Sequence, residues 1–244
     1  MDEQELARKY DEIAEKYLFS RTENKGLSGF HNREIEQPIM FSLVPENLGG
    51  LVLLDVGCGP GIHLKEYIRR GAECYGIDIS REFIRMAGER CPEAHVKVGS
   101  VFSLEFEDES LDIVTASLVY DHVDDLERAF GEVQRVLKSG GLFVFSVPHP
   151  TTYMFRDSEK DQFVPTRSYF DKQVLYHNIA RSGKNFPAYP RIMQEYFQFF
   201  LENGFVLREF VENKPQDSWK EKYPDLDKNF YKLPSICFLK WEKS

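Results

Sequence analysis

The sequence predicts an α/β fold built on a doubly wound, mostly parallel sheet with helices on both faces. Strand-like and helix-like segments alternate along the first half of the chain, and an apolar run leads directly into a glycine-rich turn. The length of 244 residues suits one large domain, since α/β folds often reach this size undivided. Such alternation is typical of parallel sheets, because a parallel strand needs a crossover that a helix can supply.

The N-terminal element is a predicted helix over residues 3 to 18, where apolar side chains recur at helical intervals. It belongs to an expected helical segment over residues 1–45 of a single 1–244 domain. The apolar positions of this helix are Leu6, Tyr10, Ile13 and Tyr17.

The remaining elements follow from the same patterns. Asp124 and Glu127 have capping-box spacing, which predicts a helix start beside them. Strands are predicted near residues 51–56, 73–78, 95–98, 111–117, 141–147, 205–211 and 235–241. Helices are predicted near residues 62–70, 81–90, 125–137 and 190–203.

The turn after the first predicted strand has the composition of a ligand-binding loop. The run Leu51–Val56 is apolar except for Asp55, and three alternate glycines follow it at Gly57, Gly59 and Gly61. Glycine adopts positive φ without steric cost and has no Cβ, so the backbone can approach a bound molecule closely. The pattern predicts a cofactor loop.

The spacing of the glycines and the charges beside them limit which cofactor could bind. The dinucleotide fingerprint G-x-G-x-x-G fails at its third glycine, where this chain has Ile62. Asp55 would repel a pyrophosphate and suits a ligand with an ammonium group. Asp78 ends the second predicted strand, where such folds hydrogen-bond a ribose. The pattern favours a nucleoside attached to a cationic group.

Four motifs in order make the chain similar to the class I S-adenosylmethionine-dependent methyltransferases. The glycine motif at 55–61 and the ribose acid Asp78 match, as do the segments 99–112 and 135–141. The resemblance covers roughly residues 10 to 150 and is closest to small-molecule members, including the quinone-biosynthesis type. It implies a Rossmann-like seven-stranded sheet with an antiparallel final strand, and S-adenosyl-L-methionine as cofactor.

The resemblance also implies the cofactor-binding residues. The family often has an acid after Gly99 that accepts a bond from the adenine amino group, whereas this chain has Ser100. The main-chain amide of Val101 is then expected to recognise the adenine edge. The complete expected set is Asp55, Gly57, Cys58, Gly59, Gly61, Asp78, Ile79, Ser100, Val101, Ser117 and Tyr17.

Composition excludes several classes of protein. The net charge of −9 argues against nucleic acid as a partner, because its phosphates would be repelled. The four cysteines form neither a C-x-x-C pair nor metal-like spacing, so we expect reduced thiols, no metal site and a cytoplasmic location. An acidic N-terminus and the lack of an apolar run of roughly 20 residues argue against a signal peptide and a membrane span. The oligomeric state stays open.

Two insertions, at 149–189 and 212–233, follow strands whose ends should border the ligand crevice. We expect them to cap the substrate. Their aromatic residues are Tyr153, Phe155, Phe163, Tyr169, Phe170, Tyr176, Phe186, Tyr189, Trp219, Tyr223, Phe230 and Tyr231.

The expected reaction is direct displacement of the sulfonium methyl group by a small-molecule acceptor, whose reacting atom (O, N, S or C) the sequence leaves open. A hydroxyl or protonated amine acceptor needs a base, and the candidates are His149 and His122. His149 stands between two prolines at a predicted strand end, and His122 precedes a predicted helix.

Three alternatives stay open. A nicotinamide-dependent oxidoreductase shares the fold class but requires the glycine that Ile62 replaces. A transfer-RNA methyltransferase shares the cofactor half but conflicts with the negative charge. A non-catalytic cofactor-binding protein would use the same motifs without a base.

Overall fold

A computed structural model describes residues 1–23, 27–157, 163–165, 167–224 and 232–244. The strands are β1 (Val52–Val56), β2 (Glu73–Asp78), β3 (His95–Val98), β4 (Leu111–Ser117), β5 (Leu137–Pro148), β6 (Phe155–Asp157), β7 (Phe163–Pro165), β8 (Leu175–Asn178), β9 (Asn185–Ala188), β10 (Phe205–Glu212) and β11 (Ile236–Lys243). The helices are α1 (Glu3–Thr22), α2 (Leu27–Phe30), α3 (Gln37–Leu43), α4 (Ile62–Arg69), α5 (Arg81–Arg90), α6 (Leu126–Val136), α7 (Met193–Glu202) and α8 (Ser218–Lys222), with a π-helix at His31–Glu36 between α2 and α3.

The centre of the molecule is a seven-stranded sheet in the order β10-β11-β5-β4-β1-β2-β3. Strands β1 to β5 pair in parallel, whereas β11 is antiparallel to both β5 and β10. The predicted Rossmann-like sheet with an antiparallel final strand is therefore confirmed. Its order reverses beside β1, so the carboxyl ends of β1 and β4 open a crevice there.

Apolar side chains pack on both faces of the sheet, in agreement with the predicted helices on both faces. Neighbouring residues of β5 show this: Phe143 and Phe145 face one core with Phe130 and Phe200, whereas Val144 faces the other core with Phe238. Among the described residues, no helix combines the length and apolar character needed to cross a membrane.

One predicted helix start was wrong by one residue. Asp125, rather than Asp124, is the N-cap of α6, and its side chain accepts a hydrogen bond from the amide of Arg128 at 3.1 Å. The capping-box pairing with Glu127 therefore has the wrong register.

The N-terminal helix α1 lies across the crevice and is anchored at the start of α5. Asp11 Oδ1 accepts hydrogen bonds from Ser80 Oγ at 2.7 Å and from the amide of Glu82 at 3.1 Å. A carboxylate at a helix N-terminus is favoured by the unpaired amides there. Tyr10 and Tyr17 pack on Phe83 of α5, with ring centroids 5.7 and 5.0 Å apart.

The two insertions lie in different places. The β8–β9 hairpin of the first docks on α1, where Phe186 packs on Tyr10 with ring centroids 4.6 Å apart and Lys184 pairs with Glu12. In the second, Trp219 packs on Phe30 with ring centroids 5.0 Å apart. Phe230 and Tyr231 lie outside the described residues.

Candidate active site

The glycine loop after β1 has the backbone geometry that its composition predicted. Gly57, Gly59 and Gly61 have φ values of 65°, 51° and 75°, a region that disfavours other residues. A Cβ on Gly57 would lie 2.5 Å from Cγ2 of Val119. The loop therefore follows a path that residues with side chains could not take without strain.

This loop borders a cavity of about 200 Å³ between the sheet and α1. Asp78 at the end of β2 lines one side, and Gly99, Val101 and Phe102 line the end beyond it. Of the predicted cofactor residues, those that line the cavity are Tyr17, Gly57, Gly59, Asp78, Ile79, Val101 and Ser117.

Asp78 is held in a fixed orientation by two backbone amides. Its Oδ2 accepts a hydrogen bond from Gly59 at 3.0 Å, and its Oδ1 accepts one from Ser80 at 2.9 Å. Burial raises the pKa of Asp78 to about 6, although these two bonds lower it. Because a carboxylate oxygen has two lone pairs, each oxygen can also accept a bond from a ligand in the cavity.

Four predicted cofactor residues do not line this cavity. Asp55 is 2% exposed and accepts a 2.7 Å hydrogen bond from Thr115 Oγ1, so a direct contact with an ammonium group is not supported. Cys58 is buried, and its amide donates to the carbonyl of Ile77. Gly61 begins α4, where a Cβ would meet Ala87 at 3.2 Å.

Ser100 is the fourth of these residues. Its Oγ accepts a bond from the Phe102 amide at 3.1 Å and donates to Glu3 Oε1 at 2.6 Å. Glu3 itself lines the cavity. A carboxylate from α1 therefore lies beside Ser100, at the end of the cavity that Val101 and Phe102 line.

A second cavity of about 300 Å³ adjoins the first. The two cavities share Tyr10, Tyr17, Leu118 and His122 as walls. Further polar residues that line the second cavity are Arg21, His31, Asp121, Thr152, Tyr153 and His177. Sequence reasoning did not single out Arg21, Asp121 or His31, because no local motif marks them.

His122 lies on the wall between the cavities. Its Nδ1 donates to the carbonyl of Pro187 at 2.5 Å, and its Nε2 lies 3.6 Å from Asp121 Oδ2. Because a carbonyl only accepts, Nδ1 carries the proton and Nε2 keeps its lone pair when the ring is neutral. Arg191 fixes this loop by donating to the carbonyls of Asp124 at 2.8 Å and Tyr189 at 3.1 Å.

His149 lines neither cavity, so the structure does not support its expected role as a base. Its Nδ1 accepts from the Thr151 amide at 3.2 Å, and its Nε2 lies 2.9 Å from Glu212 Oε1. Burial lowers its pKa, although Glu212 opposes the shift. These contacts direct the ring toward Thr151 in the loop after β5 and toward Glu212 of β10.

Glu36 of the π-helix connects the N-terminal segment to the floor of the site. It is fully buried, and it bonds His63 Nε2 at 2.9 Å and accepts from Ser117 Oγ at 2.5 Å. Burial would raise the pKa of Glu36, but these two partners lower it overall. A buried charge requires such partners. Ser117, on the wall of the first cavity, is therefore positioned by a residue distant in sequence.

The first cavity fits the cofactor that the resemblance implies. A Cβ on Gly59 would meet no protein atom within 4 Å, so the loop leaves open space beside the backbone for a ligand. Asp78 offers acceptors for ribose hydroxyls, and Val101 and Phe102 form a half-buried apolar end that suits a flat base.

Comparisons with known proteins agree with this geometry. Residues 54–145 match the model of a methyltransferase domain. The chain is 31% identical over 171 residues to a demethylmenaquinone methyltransferase of Anoxybacillus flavithermus, covering 64% of this chain and 70% of that protein. The chain belongs to the class I S-adenosylmethionine-dependent methyltransferases. The predicted enzyme class and its cofactor, S-adenosyl-L-methionine, are thereby confirmed.

Other similar proteins support the same family. A ubiquinone biosynthesis O-methyltransferase of Alkalilimnicola ehrlichii is 33% identical over 157 residues, and the match spans 60% of this methyltransferase and 61% of that relative. The crystal structure of an S-adenosylmethionine-dependent methyltransferase from Mesorhizobium loti superposes with a TM-score of 0.72. The two sequences are 24% identical, and the superposition covers 84% of this chain and 96% of the Mesorhizobium loti chain. The two proteins therefore share the same fold.

Proposed function

We propose that this methyltransferase transfers a methyl group to a hydroxyl or amine of a small molecule held in the second cavity. The observation that carries the proposal is the shared wall of Tyr10, Tyr17, Leu118 and His122 between two adjoining cavities. The similarity to ubiquinone and demethylmenaquinone methyltransferases supports a small-molecule acceptor. The volume of the second cavity, about 300 Å³, supports it too, since cavities of roughly 300 to 1,000 Å³ suit small ligands.

The residues around the first cavity bind and orient the cofactor in this proposal. Asp78 accepts the ribose hydroxyls, the Val101 amide meets the adenine edge, and the open face of Gly59 lies against the amino-acid portion. When bound, S-adenosylmethionine supplies an electrophilic methyl group on a sulfonium. Tyr10 and Tyr17 exclude water above it, because they cover the cavity from α1.

The residues of the second cavity hold the acceptor in line and remove its proton. Orienting two reactants can contribute roughly 7 to 11 kcal/mol to a barrier. Bound S-adenosylmethionine would supply the methyl group to the acceptor's lone pair and would leave as S-adenosylhomocysteine. His122 Nε2 takes the acceptor's proton, while the Pro187 carbonyl holds Nδ1 in the required tautomer.

The first insertion acts as the substrate cap. Tyr153, His177 and Ile179 line the second cavity. The described residues of the second insertion line neither cavity, so we limit the cap to 149–189. Four free, buried cysteines and the acidic charge support a cytoplasmic enzyme without a nucleic-acid substrate.

Calorimetry tests the proposal most simply. S-adenosylmethionine and S-adenosylhomocysteine should both bind in the presence of saturating NAD, and a methyl-labelled cofactor should label small molecules from a metabolite extract. Competition by NAD, or failure of both ligands to bind, would contradict the cofactor assignment. Label found only in macromolecules would contradict the acceptor class.

A further inference from the structure

The second cavity contains a half-buried cation that has no carboxylate partner among the described residues. Arg21 lines the cavity, and its guanidinium lies 4.9 Å from the centroid of the Tyr17 ring. Within the described ranges, no carboxylate lies within ion-pair distance of this guanidinium. The buried acid Glu36 contributes to its electrostatics, but the oxygens of Glu36 already bond His63 and Ser117.

The cavity also contains a buried carboxylate without a well-formed hydrogen bond at one oxygen. Asp121 is 5% exposed, and its Oδ1 has no partner of normal hydrogen-bond geometry among the described residues. The buried hydroxyl of Tyr153 interacts with this carboxylate, but no hydrogen bond of normal geometry joins the two groups. Leaving such groups unsatisfied costs about 1 to 3 kcal/mol each, so a ligand that completes their bonds would bind with an advantage.

The other titratable side chains of the cavity do not neutralise this pair of charges. Burial lowers the pKa of His31 to about 4, with Arg21 adding to the shift. Burial also lowers the pKa of His177. Both rings are therefore neutral near pH 7, and Tyr10 and Tyr153 are neutral because burial raises their pKa values. Arg21 and Asp121 therefore supply the guanidinium and the carboxyl group of this cavity.

We infer that the methyl acceptor is a small monocarboxylate that also carries a hydroxyl or amine. Its carboxylate pairs with Arg21, and its X–H group lies toward Asp121 and His122 beside the cofactor. This inference rests on the proposed function and specifies its substrate class. A single guanidinium compensates one negative charge, so a carboxylate matches it better than a doubly charged phosphate. The rings of Tyr10, Tyr17 and Tyr153 suit a flat, apolar body between the two polar ends.

Paired probes test the inference. The protein is saturated with S-adenosylhomocysteine, and calorimetry then compares 4-hydroxybenzoate, 4-aminobenzoate and 4-hydroxyphenylacetate with their primary amides. Each amide keeps the shape and the X–H group but removes the charge. We expect at least one acid to bind about tenfold or more tightly than its amide.

Variants locate the effect. Arg21→Gln should reduce the preference for acid over amide to about twofold or less, and Arg21→Lys should retain part of it. Arg8→Gln is the matched control, because it removes the same charge from an exposed position of the same helix. Equal affinity for S-adenosylhomocysteine in all three variants shows that they are folded.

Three results would overturn the inference: no acid binds at millimolar concentration, acids and amides bind equally, or the preference persists in Arg21→Gln. The proposed function fails separately, since it requires S-adenosylhomocysteine to bind before any probe is added. If the protein binds S-adenosylhomocysteine but shows no preference for acids over amides, only the inferred substrate class is wrong.

Discussion

The two cavities are built in different ways. The first lies at the carboxyl ends of β1, β2 and β4 and is covered by α1, and short contiguous motifs supply its glycine loop and Asp78. The second combines α1, the loop after β4, the first insertion and the start of β11, which are far apart in sequence. In the proposed function, the cofactor is recognised largely at the ends of the sheet strands, and the acceptor is recognised by segments that can vary without disturbing the sheet.

Because the two cavities are built differently, mutations in them should affect cofactor affinity and turnover separately. Residues at the sheet ends should control cofactor affinity, and residues of the assembled cavity should control turnover and acceptor choice. His122 lies on the shared wall, so it should show the clearest division between the two.

The largest effect is expected at His122. His122→Ala should lower turnover by roughly 100- to 10,000-fold, because a positioned general base contributes that much. Affinity for S-adenosylhomocysteine should change little by comparison. The loss should shrink at high pH, where the acceptor ionises unaided. Steady-state kinetics with labelled cofactor, together with calorimetry, measure both quantities.

His149→Ala is the matched control, because it removes an imidazole that lines neither cavity. It should keep turnover close to that of the unmodified protein while it remains folded. If His149→Ala loses turnover and His122→Ala does not, the placement of the base on the shared wall is wrong.

A smaller effect is expected at the sheet end. Asp78→Ala should weaken S-adenosylhomocysteine binding about 10- to 100-fold, since bonds to a charged acceptor contribute roughly 1.5 to 3 kcal/mol. Turnover at saturating cofactor should fall less than in His122→Ala. An unchanged affinity in calorimetry would leave Asp78 as a support for the Gly59 and Ser80 amides alone.

The pH dependence of cofactor binding is a second test of the contact between Asp78 and the ribose. The pKa of Asp78 is raised to about 6 by burial, so the carboxylate is ionised above that pH and becomes protonated as the pH falls through it. A protonated carboxyl loses an acceptor, and S-adenosylhomocysteine affinity should fall by up to about tenfold per unit below this pH. Asp78→Asn should flatten the profile between about pH 7 and pH 5. A wild-type profile that is already flat would contradict the ribose contact.

The smallest effect is expected at the adenine end. Ser100→Ala removes the bond to Glu3 but leaves the Val101 amide in place, so cofactor affinity should fall only about two- to fivefold. Glu3→Gln should produce a similar loss, and Glu5→Gln on the same helical turn should not. Losses above about 100-fold in calorimetry would show that side chains, rather than the Val101 amide, dominate adenine recognition.

The sequence predicted the sheet and the first cavity better than the second. Residues 73–78 and 81–90 were predicted with the observed bounds of β2 and α5, because an apolar run and the cap at Ser80 define them locally. The β8–β9 hairpin was not predicted, and the expected helical segment 1–45 did not distinguish the π-helix at His31–Glu36 from the α-helices beside it. Neither segment has a periodic apolar pattern. The position of the π-helix depends on Glu36 bonding His63, and the position of the hairpin depends on Phe186 packing against α1.

The same limit applies to two predicted site residues that line neither cavity. Asp55 follows the family motif, yet Thr115 from the neighbouring strand engages its carboxylate. His149 has the local features of an oriented base, but Glu212 from β10 binds its ring. In both cases the partner comes from a strand distant in sequence, which no local motif could reveal.

We expect the first cavity to hold the cofactor with its sulfur at the wall shared with the second cavity. A crystal structure of the protein with S-adenosylhomocysteine would show this placement. We expect the ribose at Asp78, the adenine between Val101 and Phe102, and the sulfur beside Tyr17 and His122, with the second cavity left open. Adenosine found against Arg21 and Asp121, or a sulfur directed away from His122, would contradict it.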